Sequence, residues 1–281
     1  MESIVFGLAT AFVFAVGMIT SARCSRLLTP RVVVGSAATM GLIMALPFAI
    51  ATGIPPNLNV TNATLMLVTG AGNILGLICV NAALRVGKVG VVSPIVATQG
   101  AVAVIIALLI GRSLAPLIAA LLSVIVLGIV ISARTKDPVP IENEKPLRSV
   151  LLASLGALFF GAALVTVGVL STELPLSWLL IPGRLVGTIV LTVPLLLTGK
   201  LRITRKAAPL LLLLAVCDLV GITLYAIGAE LNIQITAVMS SQMAPIAAVL
   251  AFFLFKEKLV RGQLVGLIVI IAGVIGLSLV Q

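Results

Sequence analysis

The stretch "ARTKDPVPIENEKPLRS", Ala133 to Ser149, decides the fold. It is the only long polar stretch in a chain of 281 residues, and it falls near the midpoint. Pro138, Pro140 and Pro146 keep it from being helical, since a proline removes a backbone donor and crowds the preceding turn. The segments on either side of it are overwhelmingly apolar.

Working outward, the composition explains why. Hydrophobic residues make up 61% of the chain and charged residues only 9%. Mean hydropathy is +1.32. A soluble domain carries roughly 25% charged residues, and one core cannot hide this much apolar surface. Lipid must be the solvent for most of the chain. Apolar runs can be marked off by charges, Pro and Asn clusters at about 3–21, 32–52, 64–84, 89–111 and 114–133, then 149–170, 174–198, 208–229, 233–255 and 262–280. Each has the roughly 17–25 residues that a spanning helix needs. Lipid offers the backbone no hydrogen-bond partner, so these runs are expected to be helices.

Five spans therefore stand on each side of the polar stretch. Five is odd, so two similar halves would lie in opposite orientations, the inverted-repeat plan of many secondary transporters. The expected organisation is a first five-helix repeat at 1–135, a cytoplasmic linker at 136–148 and a second repeat at 149–281. A shift of 145 residues pairs Gly76 with Gly221, Asn73 with Asp218, Leu114 with Leu259 and Gly128 with Gly273. Few other letters match, so the repeat rests on architecture more than on identity.

Charge placement gives the orientation. Sixteen of the 18 basic residues follow odd-numbered spans, among them Arg23, Arg26, Arg31, Arg85, Lys145, Arg148, Lys200 and Arg205. The positive-inside rule places those connectors in the cytoplasm and both termini outside. The net charge of +10 is thus one-sided. It suits contact with anionic lipid of the inner leaflet and gives no reason to expect nucleic acid.

Two ions lie well inside spans. In "LLIPGRLVGTIV", Leu179 to Val190, Arg184 follows a Pro-Gly pair, and Asp218 sits ten residues into the next span. A mid-span charge costs about 2.5–3.5 kcal/mol on insertion scales, so neither should face lipid. Pro182 has no N–H, and the carbonyl of Trp178 is expected to lose its helical partner there. A helix break beside a charge near the midplane is a common form of membrane binding site. Three readings stand open: a substrate site, a structural pair tying two helices together, or an arginine reaching toward the outer interface.

Uncharged polar residues lie at compatible depths: Asn73 in the third span, Ser93, Thr98 and Gln99 in the fourth, Tyr225 in the eighth, and Ser240, Ser241 and Gln242 in the ninth. Singly, each is readily explained as a bond between neighbouring helices, worth roughly 1 kcal/mol. Together they line repeat-related spans of both halves, which implies a shared central cavity. Gly72 with Gly76, Gly183 with Gly187 and Gly262 with Gly266 are small-xxx-small pairs that let helices approach closely. Asn59 and Asn62 open glycosylation-type triplets that read as chance.

The chemistry of most enzymes is missing. There is no histidine and no phosphate-binding glycine loop. Cys24, Cys79 and Cys217 have neither disulfide nor zinc spacing. No metal or cofactor is expected, and no catalytic residue.

The tail of the chain carries a resemblance. "CDLVGITLYAIGAE" (217–230), followed by "SSQMAPIAAVLAFFLFKEKLVRGQLVGLIVIIAGVIGLS" (240–278), resembles the EamA-type branch of the drug/metabolite transporter superfamily. Asp218, Tyr225, Pro245, Glu257, Gln263, Gly266 and Gly273 fit its pattern. "SWLLIPGR" (177–184) resembles that branch's Trp-to-Arg segment and brings Trp178 into the candidate site. The first half departs from the pattern, with Arg112 in place of the usual Glu and Gly100 in place of the usual Pro. The resemblance implies ten helices in two inverted halves and secondary transport of small metabolites, often export.

The expectation is therefore an all-α membrane protein of ten transmembrane helices in a prokaryotic plasma membrane, as monomer or homodimer. It would move a small polar or zwitterionic metabolite, such as an amino acid, by alternating access. The candidate substrate-binding residues are Arg184, Asp218, Asn73, Gln99, Tyr225, Ser241, Gln242 and Trp178. The alternatives are a flippase or carrier for lipid-linked head groups and a non-transporting membrane scaffold.

Overall fold

A computed structural model describes residues 1–87, 92, 95–111, 115–133, 145–243, 245–247, 250, 262, 265–266, 268–269, 272–273 and 276. Among these residues every regular element is helical. The elements are α1 (Glu2–Leu27), α2 (Pro30–Thr52), α3 (Val60–Val86), α4 (Gln99–Leu109), α5 (Pro116–Ala133) and α6 (Pro146–Leu170). They continue with α7 (Leu176–Leu179), α8 (Pro182–Gly187), a π-helical turn (Thr188–Thr192), α9 (Val193–Leu197), α10 (Ala208–Leu231) and α11 (Ile233–Ser240). Among the described residues, six helical stretches are long and apolar enough to cross a membrane, counting Leu176–Leu197 as one, and two shorter apolar helices accompany them. The end of the expected ninth span, most of the tenth, Ser93, Pro94 and linker residues 134–144 lie outside the described residues.

Local chemistry sets the ends. Pro30, Pro146 and Pro182 each open a helix at its first position, where the missing N–H costs nothing. Gly53 closes α2 at φ 68°, a left-handed conformation that a side chain would resist. Asn59 caps α3, its side chain accepting the Asn62 N–H at 2.8 Å. Asn232 ends α10 and caps α11, accepting the Ile235 N–H at 3.0 Å.

The molecule is small-residued within and bulky without, as a lipid solvent requires. Ala11, Ala15, Ala45, Ala83 and Ala153 are wholly inaccessible, whereas Ile43, Phe48, Leu67 and Leu197 are more than 60% exposed. Helices of the two halves interlock. The most extensive packing is α3 of the first half on α6 of the second, and α10 of the second on α1 of the first.

These two pairings repeat each other in detail. Gly76 of α3 lies against the ring of Phe160 in α6, and Gly221 of α10 lies against the ring of Phe14 in α1. A Cβ on Gly72 would stand 3.4 Å from Ala163 Cβ, and one on Gly17 would stand 3.4 Å from Cys217 Cβ. Each pair maps onto the other under a shift of 145 or 146 residues. The small-xxx-small glycines at 72, 76, 183 and 187 are thus packing positions inside the chain. Gly273 and Gly276 of the tail pack on Ile125 and Leu121 of α5.

The expected seventh span is built as a broken rod. Helix α7 ends at Leu179 and α8 starts at Pro182. The Trp178 carbonyl does not go without a partner: the turn tightens and it accepts from the Ile181 N–H at 3.3 Å. Below Arg184 the wide π turn follows. Thr188 and Thr192 of that turn meet Thr39 of α2, at 3.2 and 2.8 Å between hydroxyl oxygens.

Candidate functional site

Arg184 is anchored from three directions. Its own break in the helix leaves the Leu180 carbonyl open, and Nη1 donates to it. Gly41 of α2 makes room, since a Cβ there would stand 3.0 Å from Nε. Nη2 donates to Oδ2 of Asp218 at 2.7 Å, which joins the broken rod to α10. Nε is buried without a hydrogen-bond partner. The pair is asymmetric: the arginine side chain is 5% exposed and the aspartate 26%.

Asp218 and Arg184 line a cavity of about 120 Å³. Both halves supply its wall. From the first half come Phe14, Met18 and Ser21 of α1, Thr69, Asn73 and Leu77 of α3, and Gln99 of α4. From the second come Phe160 and Leu164 of α6, Gly183 and Arg184 of α8, and Asp218 and Ile222 of α10. A single water needs only some 10–15 Å³ of such space, so the cavity has room for a small solute. Most of the lining is apolar.

Break and cavity are fitted to each other. The Pro182 carbonyl runs so close to α3 that a Cβ on Gly70 would stand 2.7 Å from it. One turn on, the Asn73 side chain lies against Gly183, its Oδ1 3.0 Å from where a Cβ would be. Neither Asn73 nor Gln99 makes a side-chain hydrogen bond among the described residues. Thr69 is occupied, its hydroxyl oxygen 2.8 Å from the Leu65 carbonyl oxygen and 2.7 Å from the Thr166 hydroxyl.

Of the eight candidates, Arg184, Asp218, Asn73 and Gln99 come together around the cavity; the other four stand apart. Tyr225 is fully buried among α6 and α10 apolar side chains, with its hydroxyl on the Leu164 carbonyl at 3.1 Å. Ser241 and Gln242 are buried at the turn that ends α11 and bond back to Ala237 and Val238. Trp178 stands at one end of the broken rod, where its indole N–H donates to the Gly53 carbonyl at 2.8 Å. Asn59 and Asn62 serve the α3 cap and the loop before it.

Sequence reasoning missed Ser21, Thr69, Phe14 and Phe160. The repeat carried a signal for two of them, since Phe14 and Phe160 are 146 residues apart and flank the glycines that the 145-residue shift had paired. Ser21 had no such signal. It is drawn in through a buried knot in which Ser21 and Ser25 both donate to Asn81 Oδ1, at 2.8 and 2.7 Å.

Comparison with known proteins bears on the fold and the family. Twenty-four solved chains match the fold. One, described only as the crystal structure of a protein, is 14% identical, with a TM-score of 0.74 over 99% of this chain and 96% of that one. No curated protein matches. The EamA-like transporter family model matches residues 1–134 and again 147–279. An all-helical chain that is long enough to cross the membrane repeatedly, and that matches this model once in each half, belongs to the EamA-like transporter family, whose members are membrane transporters of small molecules.

Proposed function

We propose that this protein is a secondary transporter, an exporter of a small solute from a prokaryotic cell, working by alternating access around the cavity between its halves. The full arrangement would be ten helices in two inverted repeats, residues 1–135 and 149–281, with both termini outside. The observation that carries the reading is the Arg184–Asp218 pair at the wall of a cavity that both halves build. Ions inside a membrane are expensive and are kept where they meet a substrate path or a partner. Here the carboxylate has the arginine as its partner and also lines the cavity. Rocking of one half against the other would expose that wall to each side in turn.

The size of the cavity favours a small solute over a lipid-linked head group. The test is solute counterflow in proteoliposomes with purified protein. Arg184→Ala and Asp218→Asn are each expected to lower transport at least tenfold while the protein remains folded in detergent. If both variants transport every candidate solute as well as the unaltered chain does, the site assignment fails.

A further inference from the structure

We infer that the cavity recognises the ammonium group of a small organic amine with an apolar body, and that its described residues offer no free cation for a carboxylate. This deepens the transporter reading and rests on it. The argument is one of accessible groups. Arg184 is 5% exposed and commits one terminal nitrogen to Leu180 and the other to Asp218. Its Nε faces Gly41 in buried packing. An anion entering the cavity would have to break the ion pair to reach it. Asp218 is five times more exposed, and among the described residues only its Oδ2 is engaged. Among the described residues that line the cavity, Asp218 is the one acid.

Asn73 and Gln99 complete the pattern. Both are amides with no side-chain hydrogen bond among the described residues, and both line the cavity. Their carbonyl oxygens can accept from the further hydrogens of an ammonium group, and Asn73 Oδ1 sits against Gly183, next to the pair. Around this polar corner lie Phe14, Met18, Leu77 and Phe160. Such walls gain by covering an aromatic or aliphatic body and give nothing to a second charge. A zwitterion brings a carboxylate that finds no donor other than an amide.

The probes are phenethylammonium, charged at pH 7 as a lysine side chain is, with 3-phenylpropanoate, 2-phenylethanol and phenylalanine as anionic, neutral and zwitterionic counterparts. Binding is read by calorimetry and by thermal shift on the full chain in nanodiscs. Phenethylammonium is expected to bind and to raise the melting temperature, and the other three to bind at least tenfold more weakly. Asp218→Asn should weaken it at least tenfold, and Asn73→Ala and Gln99→Ala about threefold to tenfold each. If Asp218→Asn does not fold, the two amide variants decide. The inference is overturned if the amine does not bind, if phenylpropanoate or phenylalanine binds as tightly, or if folded variants keep full affinity. Amine binding without movement across proteoliposomes would sink the transporter reading and leave the amine site standing. Transport of other solutes with no amine binding would do the reverse.

Discussion

Gly100 of α4 lies against the turn that ends α11, so closely that a Cβ on it would overlap the Ser241 hydroxyl and stand 2.5 Å from the Ala237 carbonyl oxygen. Both helices are interrupted nearby. The fourth span turns at Thr98, just before Gly100, and the ninth turns at Ser241 and Gln242. The first half and the second thus touch backbone to backbone where each is broken. A resemblance that led one to expect proline at position 100 meets a glycine whose missing side chain is itself the contact.

Gly100→Ala is therefore expected to force the two breaks apart. Overpacking a tight contact costs about 1–3 kcal/mol, and backbone cannot yield as a flexible side chain does. The melting temperature in detergent should fall, and further in Gly100→Val. Wild-type melting in both would show that the crossing is loose.

The ion pair should behave as a unit. Asp218→Leu leaves a buried guanidinium without its partner, which costs about 3–5 kcal/mol in comparable buried pairs. Arg184→Met in the same chain should recover most of that loss, because the double variant buries no charge. Unfolding titrations of the two singles and the double give the coupling directly. Additive losses would mean that the 2.7 Å contact contributes nothing.

The repeated glycine–phenylalanine contacts predict paired rescues. Gly76→Ala would drive a methyl group to within 2.6 Å of the Phe160 ring, and Gly221→Ala would meet the Phe14 ring. Each should destabilise by about 1–3 kcal/mol. Phe160→Leu should relieve the first and Phe14→Leu the second, but not crosswise. Crosswise rescue, seen by thermal shift, would contradict the packing.

The Asn81 knot sets a fourth stability test. Asn81→Leu removes the oxygen that accepts from Ser21 and Ser25. A buried donor left without a partner costs about 1–3 kcal/mol. A serine hydroxyl in a helix can turn back to its own chain, so the loss should fall at the low end. Ser21→Ala or Ser25→Ala alone should cost less than Asn81→Leu, measured by chemical unfolding.

Much of the fold was legible because lipid imposes a simple rule on sequence. An apolar run of bilayer length must be a helix, and a run of prolines and charges must not. Hence the first three spans, the sixth and the eighth stand within a few residues of where composition puts them. The break at Pro182 was legible too, for proline lacks an N–H wherever it sits. What composition overstated was the number of polar residues that face one space.

Tyr225, Ser241, Gln242 and Trp178 looked equivalent to Asn73 and Gln99 as letters, because depth in a span says nothing about rotation around the helix axis. That rotation is fixed by packing: Gly76 on Phe160, Gly221 on Phe14 and Gly100 on Ser241 choose the face that each helix turns inward. The sequence by itself determined that the chain is helical, lives in lipid, divides near its middle and must shelter two ions. Only tertiary structure decided that the arginine is sheathed, that the aspartate is the more exposed partner and lines the cavity, and which amides join it. Those are relations between helices distant along the chain, set by the close approach that small residues permit.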